Sequence, residues 1–404
     1  MTKYRDLARI LAVASVLLVV PSAAAIAQDI SAVADRLKTI AAEQGMDIAW
    51  NSVSGSASEM ILEGAKIKPA GESDALPIGR ITLTGVTEDD GGYSIETLKT
   101  SPFSKSGDGV AVDVSEIVLS GLRLPSANAT GPMTSMMVAY DRAEMAHINV
   151  SVGGKRAFEM QGLGFEMAAP EDGKPMEFNG AAEKFSVDLT LVDDPKYKGI
   201  IQALGYETLD GHFEMAGSWQ PADGRWSLSQ YDVSFENVGM IGTTLNFGGL
   251  TPEVVESIRD LSAKMAEASD GADNTASQMA MLGLMQQVTF NSISLRFDDA
   301  SLTNKAIGLV AQMQGQKPSD IVNMAKATVP FAMMTLNSPD VTAEVSNAVN
   351  TYLDDPKSIE IAAEPAAPVP FAMIMATAMS SPNDIPTTAN ALWKMLGLKV
   401  RANQ

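Results

Sequence analysis

Hydrophobic and polar residues alternate along the chain in two periods, and the change between them falls near residue 250. Ile30, Val33, Ala34, Leu37, Ile40 and Ala41 recur at helical spacing, with Gly45 as a stop. From Met46 to about Gly248 the period is two. Ile81/Leu83, Val110/Val112/Val114, Ile148/Val150/Val152, Phe185/Val187/Leu189 and Tyr231/Val233/Phe235 alternate with polar neighbours. That pattern predicts roughly ten antiparallel strands with one buried face. Gly-and-acid segments punctuate them at 88–92, 106–109, 170–174 and 221–225, where Asp-Gly signals tight hairpin turns. The run Glu88-Asp89-Asp90 belongs to this punctuation. Consecutive carboxylates point apart on an extended chain, so they do not have the ligand spacing of a calcium loop.

After residue 250 the period becomes helical. Thr251-Pro252-Glu253 reads as an N-cap followed by Pro at the first helical position. Val254, Val255, Ile258, Leu261 and Met265 mark the helix it opens. Further helices are predicted around 278–287, 304–314, 318–336 and 340–353, and one more before the C-terminal strand. Strands are expected near 288–297, 358–363 and 398–402. The expected fold class is therefore α+β. A long antiparallel β-meander, as a curved sheet or a sandwich, precedes a mostly helical C-terminal portion with a few returning strands. The expected parts are a leader (1–27), a β-rich domain with a short N-terminal helix (28–250) and a helical region (251–404). Two echoes stand out, Val-Pro-Phe-Ala-Met at 329–333 and 369–373 and Asp-Asp-Pro-Lys at 193–196 and 354–357. A duplicated hairpin and convergent helix-start chemistry explain them equally well.

The leader reading rests on Lys3, Arg5 and Arg9, the apolar run Ile10–Val20, and the small-x-small site Ala25-Ile26-Ala27. This is the layout of a secretory signal peptide cleaved after Ala27, with an uncleaved anchor as the alternative. The run is too short to cross ~30 Å of hydrocarbon, so no transmembrane segment is expected after cleavage. The expected location is the periplasm. A formal charge of -20 disfavours nucleic acid and anionic surfaces. There is no cysteine, which fits an exported domain whose core suffices without disulfides.

Candidate chemistry is sparse. The two histidines, His147 and His212, fall on the polar sides of their strands. There is no H-E-x-x-H, no G-x-S-x-G, no Walker motif and no dinucleotide fingerprint in a strand-to-helix setting. No catalytic residue, metal ligand or cofactor is assigned. "QGLGFEMAA" (161–169) lies among alternating residues and reads as a bulge or a site of close packing. Trp219 and Trp226 flank the 221–224 turn and are expected to pair across it. Methionine is abundant, with 24 copies, clustered at Met133/Met136/Met137 and in the helical half. Met279, Met281, Met285, Met333, Met334, Phe371, Met373 and Met375 are the candidate ligand-binding residues. Core filling competes with an adaptable apolar surface for them, and copper(I) is a distant third.

Two stretches carry a family resemblance: "DGRWSLSQYDVSFENVGMIGTTLNFGGLTPE" (223–253) and "DDPKSIEIAAEPAAPVPFAMIMA" (354–376). They resemble uncharacterised exported proteins of Gram-negative bacteria. The strand phrase is more distantly similar to AsmA-type envelope proteins with long antiparallel sheets. That resemblance implies a curved sheet whose apolar concave face holds acyl chains or serves envelope assembly, and it brings no catalytic residue. The leading expectation is a non-enzymatic periplasmic protein that binds an apolar ligand, lipid first, or an envelope partner. A structural or interaction module without a small-molecule ligand is the alternative, and a hydrolase using surface carboxylates the outsider.

Overall fold

The computed structural model describes residues 30–69, 74–89, 91–129, 140–168, 174–267, 275–334, 336–381 and 384–404. The leader with Ala27, the Met133/Met136/Met137 cluster and most of the 170–174 turn lie outside the described residues. The chain divides into two compact units, residues 1–172 with 176–191, and residues 192–404 with 173–175. The units therefore part earlier than the period changes, and three long strands of the β-rich stretch lie with the helices. All described strand pairings are antiparallel.

Unit 1 opens with helix α1 (Ile30–Glu43), then β1 (Met46–Ala49), β2 (Ser52–Ser56), β3 (Glu59–Pro69), β4 (Leu76–Asp89) and β5 (Gly92–Thr100). It continues with β6 (Phe103–Gly107), β7 (Val110–Val114), β8 (Ile117–Leu124), β9 (Arg142–Val152), β10 (Lys155–Met167) and β11 (Met176–Asp188). Several of these are pieces of one bent strand. β1 and β2 lie in line along β3, and β7 and β8 lie in line along β9. At the β7–β8 break the Ile117 N–H donates to Thr100 Oγ1 (3.0 Å), and the His147 N–H donates to Ser115 Oγ (3.0 Å). Buried hydroxyls thus replace the ladder bonds that the bend interrupts.

The turns form as the sequence predicts. Gly107 pairs with Val110 across Asp108 and Gly109, both at positive φ, as a two-residue hairpin turn requires. Glu88 pairs with Tyr93 and Asp89 with Gly92, so these two carboxylates stand at a hairpin end. Gly162 sits inside β10 at φ +60°, where an added Cβ would lie 2.5 Å from the Glu183 side chain. The pairing keeps its register across Gly162, so of the two readings the structure shows close packing and not a bulge.

The core of unit 1 is one face of this sheet with α1 laid on it. Val33, Ala34, Leu37 and Ile40 of α1 meet Met60, Leu62, Ile81, Leu83, Ile95, Leu119 and Leu122, all buried. Arg36 fixes the helix by donating from Nε to the Pro125 carbonyl (2.5 Å) and from Nη2 to the Ser126 carbonyl (3.2 Å). The cavity between α1 and the sheet is about 40 Å³ and lined by apolar side chains apart from Gln44, too small for a ligand.

Unit 2 begins with α2 (Pro195–Leu204), capped by Asp194, whose carboxylate accepts from the Lys196 N–H at 2.9 Å. This helix interrupts the stretch read as continuous strand, where β11 ends at Asp188 and Leu189–Leu191 form a 3-10 turn. Strands β12 (Thr208–Gln220), β13 (Arg225–Phe235) and β14 (Gly239–Gly248) follow, then α3 (Pro252–Glu267), α4 (Thr275–Met285) and β15 (Thr289–Asp299). The remainder is α5 (Leu302–Gln314), α6 (Pro318–Met334), α7 (Pro339–Asp354), β16 (Ser358–Ala363), β17 (Val369–Pro370), α8 (Phe371–Met379), α9 (Ile385–Leu396) and β18 (Leu398–Ala402). Two short helices, α8 and α9, stand where one was predicted. The sheet runs β12–β13–β14–β15–β16–β18, with β17 beside the start of β15.

Neither echo is a structural repeat. Val329-Pro330 lies inside α6, whereas Val369-Pro370 is strand β17 and Phe371 opens α8. Asp194-Pro195 starts a helix, whereas Asp355-Pro356 follows one and leads into β16. Proline tolerates both settings, and the neighbouring contacts decide which is used.

Candidate functional site: an open apolar sheet face

Cross-strand partners share a face of the pleat, so the registers of unit 2 sort its residues into two faces. One row reads Val233–Ile241–Phe297–Ile359–Ala402 from β13 to β18. The next reads Thr243–Leu295–Ile361–Val400, and the third Leu228–Leu245–Ile293–Ala363–Leu398. Thr243 is the one polar member of these rows. Phe213 and Met215 of β12 extend them, with the Phe213 ring edge-on to Tyr231 at 5.2 Å.

Among the described residues this apolar face is only partly covered. Leu295 and Ile361 at its middle are each 50% exposed, and Tyr231, Ile241 and Ile293 are also exposed. That corrects the expectation that every alternating run buries its apolar side. One end of the face is bordered by aromatic rings. Trp226 stacks on Phe247 (5.9 Å), and Phe371, the first residue of α8, tilts against Phe247 (5.5 Å) and meets Phe290 edge-on (6.5 Å). Trp219 pairs in register with Trp226, as its position predicts, and donates from Nε1 to the Leu250 carbonyl (2.8 Å).

The opposite face is polar and satisfies itself. Arg296 donates to both carboxylate oxygens of Asp298, and Thr244 bonds Ser294 at 2.8 Å. Arg401 bridges Glu360 (3.1 Å) and Glu364 (2.5 Å), and Lys399 also reaches Glu364. Hydrogen bonds from Arg401, then Lys399, hold the Glu364 carboxyl below the usual range. These charges lie away from the apolar rows, whose only chemistry is dispersion and exclusion of water.

The methionine candidates divide between two places. Met279, Met281 and Met285 lie on α4, and Phe371, Met373 and Met375 on α8, two helices packed against each other. Met279, Met373 and Met375 are exposed, while Met281 and Met285 are half-buried. Met333 and Met334 lie instead on α6, which packs against α5 and α7. The sheet-face residues were missed as a site because alternation reveals that a face is apolar but not what covers it. His147 Nε2 lies 3.4 Å from Asp113 Oδ1 on a half-exposed strand side, and His212 is exposed. Among the described residues no group of three His, Cys, Asp or Glu is placed to hold a metal.

Fold and site together define an antiparallel α+β scaffold whose second unit carries an open apolar sheet face beside methionine-rich helices. Residues 232–403 match a family model described as "Uncharacterized protein". The match lies wholly within unit 2, and takes in most of the apolar rows and both α4 and α8. No curated protein matches the chain. Among the described residues no helix is long and apolar enough to cross a membrane.

Proposed function

We propose that this is an exported, periplasmic, non-enzymatic lipid-binding protein that holds an acyl chain on the open face of unit 2. The observation that carries the reading is the exposure of Leu295 and Ile361 at the centre of three apolar rows. Monomeric proteins rarely leave a contiguous apolar surface of this kind without a binding role. Covering a half-exposed aliphatic side chain recovers roughly 1 kcal/mol, so several together suffice for useful affinity. Along β14 the face extends from Ile241 to Phe247, roughly 20 Å at about 3.3 Å per residue. That is comparable with the ~15 Å depth of one bilayer leaflet. No charged group lies among the rows, which favours a hydrocarbon tail with its head outside. Export is supported by the basic, apolar and small-residue segments of positions 1–27.

The test is native mass spectrometry of protein purified from its host envelope, together with uptake of a fluorescent fatty acid. The wild-type protein should carry lipid and take up the probe. L295D/I361D should do neither while keeping its far-UV circular dichroism. A wild-type protein that is lipid-free and refuses the probe sinks the reading in favour of an interaction module.

A further inference from the structure

Charged residues make up 19% of the chain, yet residues 275–295 and 365–381 contain none. These two runs supply α4 and α8, which pack against each other. Neither helix has a charged face turned to solvent. Met279 and Leu282 of α4, Met373, Met375 and Met379 of α8, and Ile385 at the start of α9 are exposed, Met379 by 72% and Ile385 by 76%. α8, apolar but for Thr377, is the kind of helix that belongs in a core or against lipid, and here it is at the surface.

We infer that the α4–α8 pair docks the protein on the interface of a neutral, zwitterionic bilayer, its methionines inserted at the boundary between headgroups and acyl chains. Charge selects this occupant. A chain of net charge -20 is repelled by an anionic surface within a Debye length. The runs that form α4 and α8 offer no Lys or Arg to phosphate or to an acidic partner. An uncharged, unbranched, adaptable methionine surface matches an interface that is apolar and fluid. The contact is interfacial, because neither helix is long enough to span hydrocarbon. It is also continuous with the apolar face. Phe371 opens α8 and is part of the aromatic cluster at the end of that face, and its N–H donates to the Val288 carbonyl between α4 and β15 (3.0 Å). A tail leaving the bilayer would therefore meet protein hydrocarbon throughout. This inference rests on the reading of unit 2 as a lipid site and adds where the lipid enters.

The experiment is flotation of the purified full chain with phosphatidylcholine vesicles, with and without phosphatidylglycerol, at low and high salt. Binding to the neutral vesicles is expected to be insensitive to salt and to weaken as phosphatidylglycerol is added. M375E/M379E should lower the bound fraction roughly tenfold or more, since interfacial affinity follows buried apolar area. M375Q/M379Q should lower it less. Both pairs are exposed, so unchanged circular dichroism and thermal midpoint keep loss of binding separate from loss of fold. Uptake of the monomeric fatty-acid probe without vesicles should survive M379E, which by itself should weaken vesicle binding and lies outside the candidate ligand-binding residues, so failed docking and a failed lipid site are distinguishable. Salt-sensitive binding, undiminished binding by the glutamate variant, or a self-association that the same variant abolishes in the absence of vesicle binding would each overturn the inference.

Discussion

Both units build an antiparallel sheet with one apolar face, but they finish it differently. In unit 1 the amphipathic α1 lies on that face, and Met60, Leu62, Leu83, Ile95 and Leu122 are fully buried beneath it. In unit 2 the helices use their apolar sides on one another and near the sheet's margin. α7 buries Val341, Ala348 and Tyr352 and packs against β16 and β18. Its Glu344 accepts from the Val400 N–H (3.0 Å) on β18. The centre of the sheet face, with Leu295 and Ile361, is left open. The difference teaches that a strand's apolar side is an opportunity for burial. Whether a helix of the same chain takes that opportunity depends on a matching apolar stripe and an anchor such as Arg36.

Side-chain truncation gives the largest contrast. Leu62→Ala, at 0% exposure, should cost about 2–5 kcal/mol through lost contacts and a residual cavity. Leu295→Ala, half in solvent, should cost less than about 1 kcal/mol while weakening uptake of the fatty-acid probe. Urea titrations followed by circular dichroism measure both. Equal costs would break the comparison, because they would mean that Leu295 is as buried in solution as Leu62. A smaller effect is expected at a positive-φ glycine inside a strand of unit 1. Gly121 of β8 has φ +64°, and an added Cβ would lie 2.0 Å from Asp141 Oδ2, whose sister oxygen Oδ1 accepts from Arg123 Nη2 at 2.6 Å. Gly121→Ala should cost about 1–3 kcal/mol through backbone strain and displacement of Asp141, without altering probe uptake by unit 2.

Much of this architecture is legible in the sequence. Period-two runs, Asp-Gly turns and Thr251-Pro252 identify the strands, the hairpins and the start of the helical part, because each is set by local backbone chemistry. What escapes is decided by distant contacts. Helix α2 was hidden because Pro195–Leu204 is short and sits among strands. The Val-Pro-Phe-Ala-Met echo stayed open between two readings because the same five residues are helical in α6 and a strand-to-helix junction at α8. The methionines of α4 and α8 could be proposed as a surface from composition. Leu295 and Ile361 could not, since their exposure reflects where no described helix packs.

The smallest effect tests the polar side of the same sheet in unit 2. Hydrogen bonds from Arg401 and Lys399 place the Glu364 carboxyl below its ordinary value of 4.5. A carboxylate lowered in the folded state adds stability above its unfolded pKa, and that stability is lost as pH falls through the folded value. Glu364 is 39% exposed on its side chain, so solvent screening reduces the contribution to a few tenths of a kcal/mol. Glu364→Gln should therefore lower stability by that amount at pH 7, and the difference from wild type should close on acidification below the ordinary carboxylate pKa. Thermal midpoints across this range supply the measurement. A loss that persists at low pH would assign the role of Glu364 to neutral hydrogen bonding. A loss at pH 7 that also removes probe uptake would show that the polar face sets the geometry of the apolar one, and the two faces could then no longer be treated as independent.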